Sequence, residues 1–238
     1  MRFLNLRLQN FRNIEFAELP LGNARNFLLG ANGQGKSNLL EALGLATALR
    51  SFRTQTLAAL PRKGVKEYKL AYELEHDSQG STALEIHSHP GGRSVLVDGE
   101  KVTRLVDFIG RFPSVTLCSS DLMLLRGSPS ERRRFMDLTL SVVNRDYYTA
   151  LRDFHRGIAE RNRLLKNSGS AAELSAFEAE IAIHSIQIAS YRAAGMRTLS
   201  EVLCRTYDRI AEADEGPELS FRPNVDCLDT EAYCRLLY

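Results

Sequence analysis

The sequence lacks several features that would place it in a class directly. It has no apolar run of roughly eighteen residues, and no signal-peptide core follows its first residues, so neither a membrane span nor a secretory leader is expected. Its four cysteines form no C-x-x-C pair and have no histidine cluster beside them, which argues against a zinc or redox site and favours buried free thiols. We therefore expect a cytoplasmic protein with no membrane partner.

A strong overall charge is also missing, since the formal net charge is +2 over 238 residues. The charge is nevertheless uneven. Residues 1–66 carry ten Lys and Arg against three Glu, which gives +7, whereas residues 171–238 carry six against twelve acids, which gives −6. The basic end is compatible with a polyanion-binding surface, although a solvated basic face is the commoner meaning of such a count.

One segment matches the phosphate-binding pattern G-x-x-x-x-G-K-[ST]. It consists of Gly30, Ala31, Asn32, Gly33, Gln34, Gly35, Lys36 and Ser37. The apolar run 26–29 before it predicts a buried strand, and the helical spacing from Asn38 to Arg50 predicts a helix after it. A purely structural glycine turn is the alternative, but the order of strand, loop and helix is the context that the motif requires.

The chemistry expected of this loop is ATP binding. Its glycines let backbone N–H groups point at a phosphate, and the following helix adds the positive end of its dipole. Lys36 is predicted to reach the β and γ phosphates, and the Ser37 hydroxyl is predicted to ligate Mg²⁺. Asn38, directly after the motif, is included among the predicted ATP-binding residues.

Alternating apolar residues predict antiparallel strands through the rest of the first hundred residues. The alternation from Leu4 to Leu8, followed by a second strand through Ile14 and Phe16, predicts an N-terminal hairpin beside the nucleotide-binding sheet. Similar alternation predicts strands near 68–74 and 82–86, and Asp98-Gly99 predicts a tight hairpin. Residues 115–118 are predicted to form one more buried strand.

Long helices are predicted after Ser119. A short helix ends at Gly127, and Ser128-Pro129-Ser130-Glu131 then predicts a helix start with a capping box. Two apolar series with coiled-coil-like spacing follow on either side of a turn at 167–170, and they predict an antiparallel helical arm. The series are Tyr147, Leu151, Phe154, Ile158 and Leu165, then Leu174, Phe177, Ile181, His184, Ile188 and Tyr191. His184 is assigned to the seam and not to a ligand site.

The end of the chain predicts a strand at 219–221 and a helix from Thr230. Because that helix has no C-cap glycine, we expect the natural protein to continue beyond residue 238. The predicted domains are 1–118, the N-terminal part of a nucleotide-binding head; 119–215, the arm; and 216–238, the start of a return to the head.

Several segments, taken together, resemble the RecF family of bacterial DNA replication and repair proteins. In chain order they are Asn10-Phe11-Arg12-Asn13, residues 33–42, Arg50-Ser51-Phe52-Arg53 and residues 127–137. The last, Gly-Ser-Pro-Ser-Glu-Arg-Arg-Arg-Phe-Met-Asp, is similar to the family's G-x-P-x-x-R-R-x-F-x-D signature. The resemblance implies an α/β fold, a mixed-sheet P-loop head of the ABC type with an α-helical arm, and it implies that Arg12 and Asn13 lie beside the bound nucleotide.

The resemblance also implies a function. It implies an ATP-binding protein that binds single-stranded or gapped DNA and supports recombinase loading and the SOS response to DNA damage. Its implied partners are RecR and RecO, with an ATP-dependent homodimer. A P-loop phosphotransferase is the alternative from another class, although no arginine-rich lid pattern follows the loop, and a non-catalytic nucleotide-binding remnant is a third interpretation.

No catalytic residue is assigned within the chain. The resemblance implies that the family's ABC signature segment and Walker B acidic pair lie beyond residue 238, so we expect ATP binding without efficient hydrolysis. Asp121 is the alternative Walker B carboxylate, but Ser119 and Ser120, where the family usually has Pro-Glu, separate it from the predicted strand. A role at the start of a helix is favoured for Asp121.

Two groups of arginines leave alternatives open. Arg132, Arg133 and Arg134 fit either salt bridges that join arm and head near Asp137 or contact with DNA or another subunit. The first arm helix carries six basic residues against three acids, which fits either DNA-backbone contact or a solvated helix face.

Overall fold

The computed structural model describes residues 1–54, 56–76, 80–211, 216–223 and 229–236. These residues divide into two compact units, Met1–Gly127 and Ser128–Tyr238. The division of the chain into domains at 118 and 215 stays a prediction. In the described part of the chain, no helix is both long and apolar enough to span a membrane.

The first unit is built on a six-stranded sheet in which every neighbouring pair of strands is antiparallel. Its strands are β1 (Arg2–Phe11), β2 (Ile14–Pro20), β3 (Tyr68–His76), β4 (Gly80–His89), β5 (Gly92–Val97) and β6 (Glu100–Lys101). Their order across the sheet is β2-β1-β3-β4-β5-β6. The predicted N-terminal hairpin and the Asp98-Gly99 hairpin are confirmed, and both turn residues have the positive φ that this tight turn needs.

The core of this unit consists of apolar side chains that meet across neighbouring strands. One row runs through Leu6, Tyr72, Leu84 and Val97, and the next through Leu8, Leu70, Ile86 and Val95. Helix α1 (Lys36–Ala48) shares this core through Ala42, Leu45 and Ala46. The Tyr72 hydroxyl donates to the Ala42 carbonyl at 2.6 Å, so a buried hydrogen bond fastens α1 to the sheet.

Two predicted strands of the first unit are wrong. Residues 26–29 and 115–118 have irregular backbone, and the exposed fractions are 80% for Phe27, 90% for Leu29, 99% for Val115 and 86% for Leu117. An apolar run indicates a preference for burial, but a strand forms only where a second strand accepts and donates its backbone hydrogen bonds. Neither segment has such a partner among the described residues.

The second unit is helical. Before it, at the end of the first unit, a 3-10 turn at Ser119–Leu122 leads into the short α2 (Met123–Arg126), which ends at Gly127 as predicted. The second unit then contains α3 (Pro129–Val143), α4 (Arg145–Lys166), α5 (Ala171–Tyr207) and α6 (Thr230–Leu236). Helices α4 and α5 form the predicted antiparallel hairpin, and the 37 residues of α5 span about 55 Å at 1.5 Å per residue.

The hairpin seam is tight where a glycine allows it. A Cβ atom on Gly157 of α4 would lie 2.9 Å from the Ile181 Cγ1 of α5, so this glycine lets the two helices approach closely. The seam also shows one error of register. Leu164 is buried, whereas the predicted Leu165 is 51% exposed, because one residue along a helix turns the side chain by about 100°.

Two further predictions for this unit are wrong. Ser128 and Pro129 begin α3 as predicted, but the Glu131 side chain closes no capping box, and the Ser128 hydroxyl pairs with the Ser130 hydroxyl instead. A capping box forms at the start of α5, between Ser170 and Glu173. Residues 219–221 are not a strand. The predicted end of the arm at residue 215 and the end of the last predicted segment at 237–238 lie outside the described residues.

Candidate nucleotide-binding site

The phosphate-binding loop is shaped by glycines in the left-handed region. The φ angles are 150° at Gly30, 82° at Gly33 and 102° at Gly35, values that side chains rarely allow. Gly35 is also tightly packed, because a Cβ atom there would lie 3.0 Å from the Asn13 Oδ1. The loop residues 30–34 are exposed, and α1 begins directly after Gly35. An exposed loop thus meets a helix N-terminus, which favours an anion.

Lys36 crosses this loop. Its ammonium group donates to the Gly30 carbonyl at 2.6 Å and to the Ala31 carbonyl at 2.7 Å. The positive charge of Lys36 therefore lies against the first two residues of the loop. Ser37 follows in the first turn of α1 and is exposed. Lys36 and Ser37, which are predicted to bind phosphate and Mg²⁺, are therefore consecutive residues where the loop joins α1.

The β1–β2 turn contacts the loop through Asn13. Its Nδ2 donates to the Gly33 carbonyl at 3.1 Å, and its Oδ1 accepts from the Asn38 Nδ2 at 2.6 Å. The structure therefore brings Asn13 and Asn38 against the loop.

Arg12 takes a different direction from its neighbour. Its Nε and Nη2 donate to the two carboxylate oxygens of Glu41 at 2.9 and 2.6 Å, and its Nη1 donates to the Ala59 carbonyl at 2.8 Å. Arg12 is thus a clamp on α1 in this structure, and its φ of 58° shows that the turn adopts a left-handed conformation to place it there.

Glu41 is a residue of this site that the sequence did not single out. Its side chain is fully buried, and it accepts hydrogen bonds from Arg12, from the Ser51 hydroxyl and, at 3.3 Å, from Arg53 Nη1. A signal was present in the sequence: Glu41 lies on the same helix face as Leu45, one turn before it, and an acid among buried apolar residues needs a cationic partner. Arg12 of the β1–β2 turn is the main cationic partner, and Arg53 is a second one.

Asp121 is occupied within its own turn. Its Oδ2 accepts from the Cys118 N–H at 2.7 Å, which satisfies an unpaired donor at the start of the 3-10 turn. This confirms the predicted role at a helix start. In the part of the chain that the structure describes, no three His, Cys, Asp or Glu side chains gather as a metal site. Ser37 stays the predicted protein ligand of a nucleotide-bound Mg²⁺.

The arm contains a second polar cluster, around Asp137. The Asp137 carboxylate accepts from the buried Tyr147 hydroxyl and from Arg192, whose Nη2 lies 2.6 Å away. Burial, together with the hydrogen bond to Asp137, raises the pKa of Tyr147. One residue from each of α3, α4 and α5 meets here. Asp137, the last residue of segment 127–137, therefore joins three helices.

Most basic residues of α4 are paired with acids. Arg152 contacts Asp153 at 2.9 Å, Arg161 contacts the buried Glu178 at 2.8 Å, and Arg163 contacts Glu160 at 2.8 Å. Arg156 lies 3.3 Å from Glu180. The positive charge that the sequence shows on this helix is therefore largely compensated within the hairpin.

Known proteins resemble the chain at two levels. A family model described as an AAA domain matches residues 5–103. The DNA replication and repair protein RecF of Chlamydia trachomatis serovar L2 is 32% identical over 232 residues, which cover 92% of this chain and 63% of that protein. RecF of Synechococcus sp. strain JA-3-3Ab is 32% identical over 238 residues, with 98% of this chain and 62% of that protein covered.

A solved structure has the same fold. It is the recombination mediator protein RecF with ATP, of the RecFOR pathway, which aligns with a TM-score of 0.88 over 99% of this chain and 66% of that chain, at 24% identity. This likeness confirms the predicted class of P-loop head with a helical arm. The chain spans about 63% of the length of the curated relatives it matches. With 32% identity along nearly its whole length and the matching fold, the chain is similar to the RecF proteins of DNA replication and repair.

Proposed function

We propose that this chain binds ATP, with Mg²⁺, at residues 30–37. The observation that carries the proposal is the geometry of the loop: left-handed glycines expose the backbone at the start of α1, and Lys36 lies across it. When bound, Mg²⁺ supplies charge neutralisation to the phosphates, and Ser37 is its protein ligand. Lys36 exchanges its two backbone carbonyls for phosphate oxygens, which bind an ammonium group more strongly.

A wider role in DNA repair is proposed from the similarity to RecF proteins. The proposed function is DNA replication and repair in the cytoplasm, with binding of single-stranded or gapped DNA, support for recombinase loading and the SOS response, and RecR and RecO as partners. ATP is proposed to bring two copies together. The similarity to RecF proteins and the shared fold with the solved RecF–ATP structure support this proposal and argue against a P-loop phosphotransferase.

The described residues support binding more than hydrolysis. Phosphoryl transfer needs a group that positions the attacking water and charges that stabilise the γ-phosphate, in addition to a hold on the nucleotide. Glu41 forms ion pairs with two arginines, and Asp121 accepts a hydrogen bond from the Cys118 N–H. Neither acid is available to orient water, so this chain is proposed to turn over ATP negligibly.

Titration with a fluorescent ATP analogue tests the site. Lys36→Met is expected to weaken binding at least tenfold, since a hydrogen bond from a charged donor contributes about 1.5–3 kcal/mol. Lys101→Met, an exposed lysine on β6, is the matched control and is expected to bind like the parent. Equal affinities for the parent and Lys36→Met would remove the loop as the nucleotide site.

Phosphate release measured with and without DNA tests the phosphotransferase alternative. A phosphotransferase is expected to turn over nucleotide regardless of DNA, whereas this account predicts negligible release in both conditions. Robust release that is lost in Asp121→Asn would show that Asp121 is a catalytic carboxylate and would contradict the proposal.

A further inference from the structure

Glu41 lies at one end of a chain of hydrogen bonds that ends on the phosphate-binding loop. The Glu41 Oε2 accepts from Arg53 Nη1, and the same Nη1 donates to the Asn38 Oδ1. The Asn38 Nδ2 then donates to the Asn13 Oδ1, and the Asn13 Nδ2 donates to the Gly33 carbonyl. We call these four side chains and the Gly33 carbonyl the relay.

From Arg53 onward, the donors of the relay point toward the loop. From Arg53 to Gly33, each amide uses its oxygen to accept from the residue before it and its nitrogen to donate to the residue after it. Hydrogen bonds aligned in this way polarise and strengthen one another. The relay therefore fixes the orientation of both asparagines, and with them the Gly33 carbonyl.

The buried end of the relay is rigid. Glu41 is fully buried, while Arg53 is 42% exposed and has the freedom of a long side chain. The carboxylate is held from the other side by Arg12, which binds both of its oxygens, and by Ser51. An anchored carboxylate thus restricts Arg53, and Arg53 restricts the two asparagines that contact the loop.

We infer that Glu41 is a positioning residue for ATP binding: through the relay it holds the loop in the conformation that receives the phosphates. This inference rests on the proposed ATP site and adds a residue that touches neither nucleotide nor metal. Because the relay ends on a loop carbonyl, losing it frees the Gly33 peptide to rotate, and an N–H that should face a phosphate is no longer held in place.

A double-mutant cycle on ATP affinity tests the inference. Glu41→Gln keeps the shape of the side chain but removes the charge that holds Arg53, and it is expected to weaken ATP binding about tenfold, the size of one lost charge-assisted hydrogen bond. Asn13→Ala removes the last bond of the relay and is expected to have a similar effect. Since both changes break one path, the double variant is expected to bind no more weakly than Glu41→Gln alone.

Tyr72→Phe is the control for a merely structural effect. It removes a buried hydrogen bond between the sheet and α1 next to Glu41, but it lies outside the relay. We expect it to lower the thermal midpoint while ATP affinity stays within about twofold of the parent, a change smaller than one neutral hydrogen bond would cause. If Tyr72→Phe weakened ATP binding as much as Glu41→Gln, stability and not positioning would explain the result.

Two further outcomes overturn the inference. One is parental ATP affinity in Glu41→Gln, and the other is a double variant whose loss equals the product of the single losses. If Glu41→Gln does not fold, Arg53→Gln breaks the same path from the surface and is expected to weaken binding severalfold, about the effect of one hydrogen bond. A parent chain that binds no ATP would instead refute the proposed site, so the two failures are distinguishable.

Discussion

Glu41 in the first unit and Asp137 in the second are both acids that form ion pairs with arginine, but the contacts that extend from them differ. Glu41 binds Arg12 and Arg53, and the path through Arg53 continues to the loop at Gly33. Asp137 binds Tyr147 and Arg192, and its contacts stay among three helices. Similar chemistry thus supports a ligand site in one unit and helix packing in the other.

The onward hydrogen bonds of a buried ion pair indicate its role better than its burial does. Burial of the carboxylate alone does not indicate function, because a paired buried charge often contributes little net stability. What distinguishes Glu41 is that its partner donates onward, through two amides, to a loop with left-handed glycines. The functional assignment therefore comes from where the hydrogen bonds lead.

Removing the two carboxylates one at a time gives the largest expected effects. Asp137→Ala leaves Arg192 and the buried Tyr147 hydroxyl without their acceptor and is expected to destabilise the second unit by about 1–3 kcal/mol, because a buried donor that loses its acceptor keeps its full desolvation cost. ATP affinity is expected to stay at the parental value. Glu41→Ala is expected to cost a similar amount in the first unit and to weaken ATP binding as well.

Urea unfolding followed by circular dichroism, combined with ATP titration of the folded variants, measures both quantities. Asp137→Asn is the matched control, since it keeps an acceptor oxygen for Tyr147 and is expected to lose less stability than Asp137→Ala. An Asp137→Ala variant that stays folded but loses ATP binding would erase the distinction between the two carboxylates.

A smaller effect is expected from the arginines of the arm. Arg133 and Arg134 on α3 make no ion pair with the residues that the structure describes, whereas Arg156 and Arg163 on α4 are paired with acids. If DNA binds the second unit, replacing the α3 pair with Gln is expected to reduce the slope of log affinity for single-stranded DNA against log salt by up to about 0.7 per arginine. Replacing the α4 pair with Gln is expected to leave that slope unchanged.

Binding of single-stranded DNA between 50 and 200 mM salt, about the range in which backbone contacts are screened, provides this measurement. The two double variants carry the same change of charge, so a difference between them reports position and not net charge. Equal slopes for both would assign the α3 arginines to a solvated face.

Local patterns predicted most of the first unit and the arm. The alternation in β1, β3 and β4 and the heptad-like spacing of α4 and α5 were sufficient because each of these elements has one partner close in the chain: β1 pairs with β2, β3 with β4, and α4 with α5. Segments 26–29 and 115–118 show the limit. Their apolar runs predict buried strands, but the runs are exposed and irregular, because pairing depends on a second strand that a local pattern does not reveal.

The candidate site was predictable in part. The motif located the loop, Lys36 and Ser37, and the resemblance placed Asn13 beside it, where its amide contacts the Gly33 carbonyl. The relay was not predictable, because Glu41, Arg53 and Asn13 are separated by up to 40 residues and meet only after the β1–β2 turn packs on α1. The glutamate within the apolar face of α1 was the one local sign of it.

The most direct test of the central claim is amide hydrogen exchange of the whole chain with and without ATP and Mg²⁺. The account predicts that nucleotide slows exchange in residues 30–37 and in the first turn of α1, and that Lys36→Met loses this protection. Exchange in β4, β5 and the α4–α5 hairpin is predicted to change little on the same timescale. Protection that appears elsewhere in the chain while residues 30–37 exchange at their nucleotide-free rate would contradict the claim that this loop is the ATP site.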